Sequence, residues 1–341
     1  MTRTFDEALD EAEVALEEGD LDLALRAVDE ALASKRDDLH ALELKGHVLA
    51  ELGEYARADA VFERLLAREP RNLSVLVAAA DVKIREPWDD GSLVETGLAL
   101  LDRAAPLAKD DELMQAEIAF LQGLAFNHLG EFDEALKRFE KAVSLEPEHG
   151  EAQLERAISL FEHARLQEAK KAFERVMRDW PDEPWSYHYL GLIAERRKED
   201  AEVWFAKARE RAPEEFPNTQ HLSDEEFDAA TRAAIDALPA HAKPHLENVI
   251  IDVEPLPSDD DLNEGLSPTI LGVFQGTPVD ERLSLHAEHH QTARIVLFQK
   301  NLERFARNRE ELLEEIRITV LHEVGHLLGL DEDELAERGL D

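Results

Sequence analysis

The feature that most constrains the fold is a 34-residue spacing of small and aromatic residues within residues 1–213. Ala24 precedes Ala58 by 34 positions, and Phe173 follows Phe139 by the same interval. Two stretches also share one internal spacing of glycine, aromatic, alanine and proline residues: Gly46, Gly53, Tyr55, Ala58, Phe62 and Pro70 correspond to Gly123, Gly130, Phe132, Ala135, Phe139 and Pro147. Small residues let two helices approach closely, aromatic residues fill between them, and proline ends each unit. The pattern predicts stacked helix–turn–helix units.

These units resemble tetratricopeptide repeats. About six are predicted, at 5–38, 39–72, a degenerate 73–115, 116–149, 150–183 and a shortened 184–213. The resemblance implies an all-α superhelix whose concave surface binds a protein or peptide. A passive spacer or an oligomerisation platform is the alternative. Trp88, in an insertion of the third unit, is the candidate contact residue, whereas Trp180 and Trp204 are interpreted as packing residues.

A second constraint is the sequence His322-Glu323-Val324-Gly325-His326. Residues four apart lie on one face of a helix, so His322 and His326 can bind the same metal ion. Glu323 lies beside them, where it can act as a base on a water molecule. Two imidazoles and one anionic ligand suit zinc and leave a fourth position open for that water.

The surrounding sequence argues against a chance match. Asn308 and Glu311 are typical of an N-cap and its capping-box partner, and Gly329 occurs where a helix ends in a left-handed residue. Apolar residues recur between them at helical spacing: Leu312, Leu313, Ile316, Val320, Val324, Leu327 and Leu328. A solvated helix face with no metal is the alternative interpretation.

The third ligand is predicted from the spacing of longer HExxH motifs, in which it follows the turning glycine by three residues. Glu332 holds that place, and Asp331 and Asp333 flank it as alternatives. A carboxylate oxygen binds zinc at about 2.0–2.2 Å.

The last 125 or so residues resemble the minimal zincin-like metallopeptidases of bacteria, whose motif is HExxHxxGxxD. The segments that carry the resemblance besides the motif helix are Asp224-Glu225-Glu226-Phe227, Ala237-Leu238-Pro239, 248–254, 271–276 and 294–298. The resemblance implies a small α+β domain in which two histidines and an aspartate hold zinc and the glutamate is the general base. His322, His326 and Glu323 correspond directly, whereas Glu332 replaces the usual aspartate.

Composition limits the partners. The formal net charge of −39 disfavours nucleic acid and anionic lipid surfaces. Such acidity is explained by solubility or a high-salt habitat, or by a preference for basic partners. The chain has no cysteine, which excludes disulfides and thiolate ligands. No apolar signal core and no run of eighteen apolar residues is present, so we expect a soluble, cytoplasmic protein.

Residues 214–222 are predicted to be a linker, and residues 223–341 the zincin-like domain. Strands are predicted at Val249–Val253, Ile270–Phe274 and Ala293–Phe298, and the proline- and aspartate-rich segment 255–268 is predicted to be a loop. Ala293–Phe298 is the candidate edge strand for holding an extended substrate. The preceding His286, His289 and His290 are weighed as transition-state donors or a replacement metal ligand, against ordinary surface histidines.

Two functions therefore remain open. The first is a zinc peptidase that uses metal-activated water, with Glu323 as base and the repeats recruiting substrate. The second is a repeat-based scaffold with a structural or inactive zincin module. The retained Glu323 favours the enzyme, because a purely structural zinc site has no use for a base at that position.

Overall fold

The structure, a computed structural model, describes residues 3–85, 91–240, 242–279, 293–331 and 334–335. The chain divides into two compact units, Met1–Ser159 and Leu160–Asp341. The division falls within one helix. The domain limits predicted from sequence, 1–213 and 223–341 with a linker between them, stay a prediction.

The first unit consists of consecutive helices, which form one pair in each of the first four predicted repeats. They are α1 Phe5–Glu17, α2 Leu21–Ser34, α3 Leu39–Glu51, α4 Tyr55–Leu66, α5 Leu73–Arg85, α6 Ser92–Ala104, α7 Glu112–His128, α8 Phe132–Leu145 and α9 Gly150–Glu162, the last of which crosses the division. The predicted insertion around Trp88 lies outside the described residues. The all-α repeat architecture is thus confirmed.

The glycine, alanine and phenylalanine residues that recur in the repeats form the contacts predicted for them. Ala58 and Ala135 are fully buried, and so are Phe62 and Phe139. A Cβ added at Gly46 would lie 2.5 Å from the Phe62 ring, and one at Gly123 would collide with Phe139. Glycine is therefore required on the first helix of these units because the aromatic ring of the second helix occupies that space.

Glu155 on α9 makes the free energy of unfolding of the first unit depend on pH. Burial, with a further contribution from Glu151, raises the pKa of its carboxyl group to about 6. Because this pKa is higher than the usual value, the free energy of unfolding contributed by Glu155 falls as the pH rises from about 4.5 to 6. We expect Glu155→Gln to stabilise the protein at pH 8 by about 1–2 kcal/mol.

The measurement is urea denaturation followed by circular dichroism at pH 8 and pH 5. The gain for Glu155→Gln should be smaller at pH 5, and the exposed Glu148→Gln should show none. An equal gain at both pH values would contradict the explanation.

The second unit begins with helices that complete the last repeats: α10 Leu166–Asp179, α11 Pro184–Arg196 and α12 Glu202–Arg211. The rest is a mixed α/β layer: α13 Asp224–Ala237, a 3₁₀ turn Lys243–Leu246, β1 Ile250–Glu254, α14 Asp259–Asn263, β2 Gly272–Gln275, β3 Arg294–Phe298, α15 Gln299–Phe305 and α16 Arg309–Leu328. The predicted α+β class is confirmed.

The described strands form a three-stranded sheet in the order β1-β3-β2. β3 is parallel to β1, with Val296 opposite Asp252, and antiparallel to β2, with Val296 opposite Val273. Residues 295–298 of β3 are at most 1% exposed. The core between the sheet and α13 and α16 consists of apolar residues, which include Phe227, Ile295, Leu297, Leu302, Leu312, Ile316, Val320 and Val324.

Two predictions about this region need correction. Ala293–Phe298 is not an edge strand, because β3 lies in the centre of the described sheet. The loop predicted over 255–268 contains α14, whose N-cap Ser258 forms a capping box with Asp261. The acidic run Asp259–Asp261 occupies the first turn of this helix, where negative charge is favourable.

Within the second unit, α11 is held to the sheet layer by polar contacts. Glu195 accepts hydrogen bonds from Lys300, at 3.0 Å, and from Arg304, both on α15. Arg196 donates to the carbonyl oxygen of Pro257 at 2.9 Å. Phe216, in the predicted linker, is 8% exposed and packs edge-on against the Trp185 ring. These contacts join the last repeat to the α/β layer.

Candidate metal centre

Helix α16 carries both histidines of the HExxH motif on one face. Asn308 caps its first turn by accepting from the amides of Glu310 and Glu311, whereas the Glu311 carboxylate accepts from the amide of Arg307 rather than that of Asn308. Gly329 ends the helix with φ 92°. The predicted helix and both of its ends are therefore present, with the capping contact of Glu311 shifted by one residue.

The two imidazoles converge. Nε2 of His322 lies 3.0 Å from Nε2 of His326, with ring centroids 4.6 Å apart and ring planes at 82°. Two nitrogens that each bind zinc at about 2.0–2.1 Å with a tetrahedral angle are about 3.3–3.4 Å apart. The pair therefore has the donor type that zinc binds, and its spacing is about 0.3–0.4 Å shorter than that of two zinc-bound nitrogens.

A backbone carbonyl determines the tautomer of His326. Its Nδ1 lies 3.1 Å from the carbonyl oxygen of Leu330. A carbonyl oxygen only accepts, so Nδ1 of His326 carries the proton and donates it. In the neutral ring, Nε2 is then left with the lone pair directed at His322. The left-handed Gly329 makes this contact possible, because it turns the chain so that the Leu330 amide bonds to the Gly325 carbonyl at 3.0 Å.

Glu323 is the buried acid of the site. Its side chain is 4% exposed and lines the same cavity as both histidines. A Cβ added at Gly272 of β2 would lie 3.1 Å from Glu323 Oε1 and 2.6 Å from Thr319 Cγ2. The strand can therefore approach the helix this closely only because residue 272 has no side chain.

The cavity has a volume of about 400 Å³ and lies between β2 and α16. Its lining consists of Ile270, Leu271, Gly272, Val273, Phe274, Glu315, Ile318, Thr319, His322, Glu323 and His326. Since β2 lies at the edge of the described sheet, it takes the place beside the site that was predicted for Ala293–Phe298.

The segment after Gly329 packs back onto the helix. Leu335 is fully buried and occupies the space that a side chain at residue 325 would need. Asp331 and Glu334 cap each other: the Glu334 amide donates to Asp331 Oδ1 at 2.9 Å, and the Asp331 amide donates to Glu334 Oε2 at 3.2 Å. One carboxylate oxygen of Asp331 thus accepts a hydrogen bond from a backbone amide.

The third ligand stays a prediction. Glu332 and Asp333 lie outside the described residues, and within the described ranges no group of three or more His, Cys, Asp or Glu side chains is arranged to hold a metal. His286, His289, His290 and Trp88 are also outside those ranges. Trp204, one of the tryptophans interpreted as packing residues, is half-buried, and its ring centroid lies 6.5 Å from that of Tyr187.

Sequence reasoning missed the residues that support the motif. These are Gly272, Thr319, Leu330 and Leu335. The sequence offers one signal for Leu330, because the apolar residue directly after a C-capping glycine commonly packs back on its helix. No local pattern identifies Gly272, which contacts Glu323 from a distant strand.

Comparison with known proteins identifies both parts of the chain. A family model for zincin-like metallopeptidases matches residues 246–340, and one for tetratricopeptide repeats matches residues 9–82, 120–184 and 154–215. None of the described helices has the length and apolar character needed to cross a membrane.

Two curated relatives, the Photosystem I assembly proteins Ycf3 of two strains of Prochlorococcus marinus, match with 26% identity over 117 and 115 residues. These matches cover 31% and 30% of this chain, and the chain spans just under two thirds of the relatives' length, 66% and 65%.

Among solved structures, a tetratricopeptide repeat protein from Parabacteroides merdae is similar over 61% of this chain and 78% of its own, with 18% identity and a TM-score of 0.50. A thermophilic repeat protein from Thermus thermophilus is similar over 52% of this chain and 92% of its own, with 23% identity and a TM-score of 0.46. The chain is thus a tetratricopeptide-repeat protein with a zincin-like metallopeptidase domain over residues 246–340.

Proposed function

We propose that the protein is a zinc-dependent peptidase whose repeats recruit a protein or peptide substrate. The observation that carries the proposal is the convergence of His322 and His326, with 3.0 Å between their Nε2 atoms, in a cavity that also contains the buried Glu323. His322 and His326 would hold the zinc ion together with Glu332, for which Asp331 or Asp333 is the alternative. Zinc bound there supplies a Lewis acid that polarises the scissile carbonyl group.

The chain's own residues perform the proton transfers. Glu323 accepts a proton from the attacking water on its carboxylate and returns it to the nitrogen of the leaving amine. Its burial between β2 and α16 excludes bulk water from the carboxylate. The Leu330 carbonyl keeps His326 in the tautomer that presents Nε2 to the site.

Strand β2 binds the substrate backbone. An edge strand offers N–H and C=O groups to which an extended peptide can add as a further strand. β2 borders the cavity along Gly272–Phe274, so a peptide bound there lies between the strand and the histidines of α16. The peptide bond to be cleaved is then held near His322 and Glu323.

The repeats raise the local concentration of the substrate at the site. A partner bound to the repeat array is held on the same chain as the site, and this raises its effective concentration there without new contacts in the cavity. The repeat fold is typical of protein interaction, and the net charge of −39 favours basic partners over nucleic acid.

Metal content tests the proposal. Purified wild-type protein should contain about one zinc ion per chain, as measured by plasma mass spectrometry, and should cleave a mixture of unstructured peptides. His322→Ala should lose both the zinc and the cleavage, because one remaining imidazole binds the ion far more weakly. The matched control is His245→Ala, which removes an exposed histidine from the same domain and should change neither.

Single substitutions of Asp331, Glu332 and Asp333 to alanine identify the third ligand by the same measurement. Loss of zinc from Glu332→Ala alone would support the predicted ligand set. Zinc that stays bound in His322→Ala would contradict the proposed site. A full zinc complement without any peptide cleavage would favour the alternative function, a scaffold with a structural metal site.

A further inference from the structure

Helix α16 continues the wall of the cavity beyond the histidines. Glu315, Thr319, His322 and His326 all line it, and their spacing of four, three and four residues places them on one face. Glu315 is thus at the end of the cavity away from His326. Seven residues separate it from His322, which is about 10 Å along a helix axis.

Among the described residues, nothing compensates the charge of this wall. The described residues that line the cavity include no lysine or arginine, and Glu315 has no ion pair with any of the residues that the structure describes. Its neighbour Glu314 pairs with Arg317. Burial, and then the charge of Glu314, raise the pKa of the Glu315 carboxyl group.

The same cavity also has apolar walls. Ile318 lies on α16, Ile270 lies just before β2, and Phe274 lies within β2. A lysine or arginine side chain combines an apolar stem with a cationic end, so it can contact these walls and reach the carboxylate. A neutral side chain of equal length would leave the carboxylate without a partner.

The distance from Glu315 to His322 predicts how many residues separate the basic side chain from the cleaved bond. An extended peptide advances about 3.3 Å per residue, so about 10 Å corresponds to about three residues. We propose that Glu315 makes this cavity selective for peptides with a lysine or arginine about three residues from the cleaved bond. This inference rests on the proposed peptidase function and adds a substrate class to it.

The test uses matched quenched-fluorescent peptides, which carry either lysine or the isosteric neutral residue norleucine at each position within four residues of the cleaved bond. For wild-type protein, kcat/KM should be about tenfold higher for lysine at one position about three residues away. Glu315→Gln should bring the ratio of the two kcat/KM values close to one, and Glu315→Lys should reverse the preference toward a glutamate-containing peptide.

Two controls separate a local contact from the general attraction of an acidic protein. Glu314→Gln removes the same charge one residue away and should keep the tenfold ratio. A peptide with its lysine moved to the far end has the same net charge and should lose the preference. A ratio that stays at tenfold in Glu315→Gln, while cleavage continues, overturns the role of Glu315 and leaves the peptidase assignment intact.

Binding measurements keep the inference testable if the wild-type protein cleaves none of the peptides, an outcome that would overturn the peptidase function itself. Fluorescence anisotropy with the lysine and norleucine peptides then reports the preference directly. A roughly tenfold preference that is lost in Glu315→Gln supports a groove for basic peptides. Equal binding of the two peptides overturns the inference.

Discussion

We expect Glu323→Gln to abolish peptide cleavage while the protein keeps its zinc. Glutamine has the shape of glutamate but cannot take a proton from water at neutral pH, so the step that generates the nucleophile loses its base. General-base catalysis contributes about 10²–10⁴-fold, and we expect kcat to fall by at least this factor. The two imidazoles, 3.0 Å apart at Nε2, are unchanged by this substitution.

Peptide turnover and metal content are measured on the same sample. Glu310→Gln is the matched control, because it makes the same chemical change at an exposed position of the same helix and should leave both values unchanged. Turnover at the wild-type rate in Glu323→Gln would assign the base to another group. If Glu323→Gln lost both its zinc and its turnover, Glu323 would have a role in binding the metal.

We expect Phe139→Ala to lower the free energy of unfolding by about 3–5 kcal/mol. The ring is fully buried and fills the space left open by Gly123 on the preceding helix of the repeat. Its removal would create a cavity between α7 and α8 beside Gly123. Urea denaturation followed by far-ultraviolet circular dichroism measures the change.

Phe132→Ala provides the comparison on the same helix. Phe132 is 58% exposed, so its removal should change the free energy of unfolding by no more than about 0.5 kcal/mol. Similar losses for the two substitutions would mean that the contact of Gly123 with Phe139 is not a main source of repeat stability. The comparison of the two variants therefore tests whether the packing of an aromatic ring against a glycine, from which the repeats were inferred, stabilises the fold.

The repeat fold was predictable because its determinants recur along the chain. Ala58, Phe62 and Gly46 have counterparts in Ala135, Phe139 and Gly123, and the same close contact forms each time. The ends of α16 were predictable for a related reason: Asn308 and Gly329 act within one turn of their own positions. Recurring contacts and helix caps of this kind can be predicted from a single sequence.

Strand order was not predictable in the same way. The apolar run Ile295–Phe298 indicates a strand buried on both faces, but its neighbours in the sheet depend on contacts with β1 and β2. The edge position was consequently assigned to the wrong strand. In the site, His322, Glu323 and His326 were found by their spacing, whereas the Leu330 carbonyl and Gly272 become visible only after the chain has folded. Glu332 stays a prediction from motif spacing.

The contacts of Glu195 with α15 bear on how shorter versions of this protein should be designed for expression. A truncation that starts at residue 223 would discard Glu195 and leave Lys300 and Arg304 without their carboxylate. It would also discard Glu162, which accepts hydrogen bonds from Ser267 and Thr269 just before β2. A recombinant fragment should therefore begin no later than Gly150, so that α9, which carries Glu162, is kept whole.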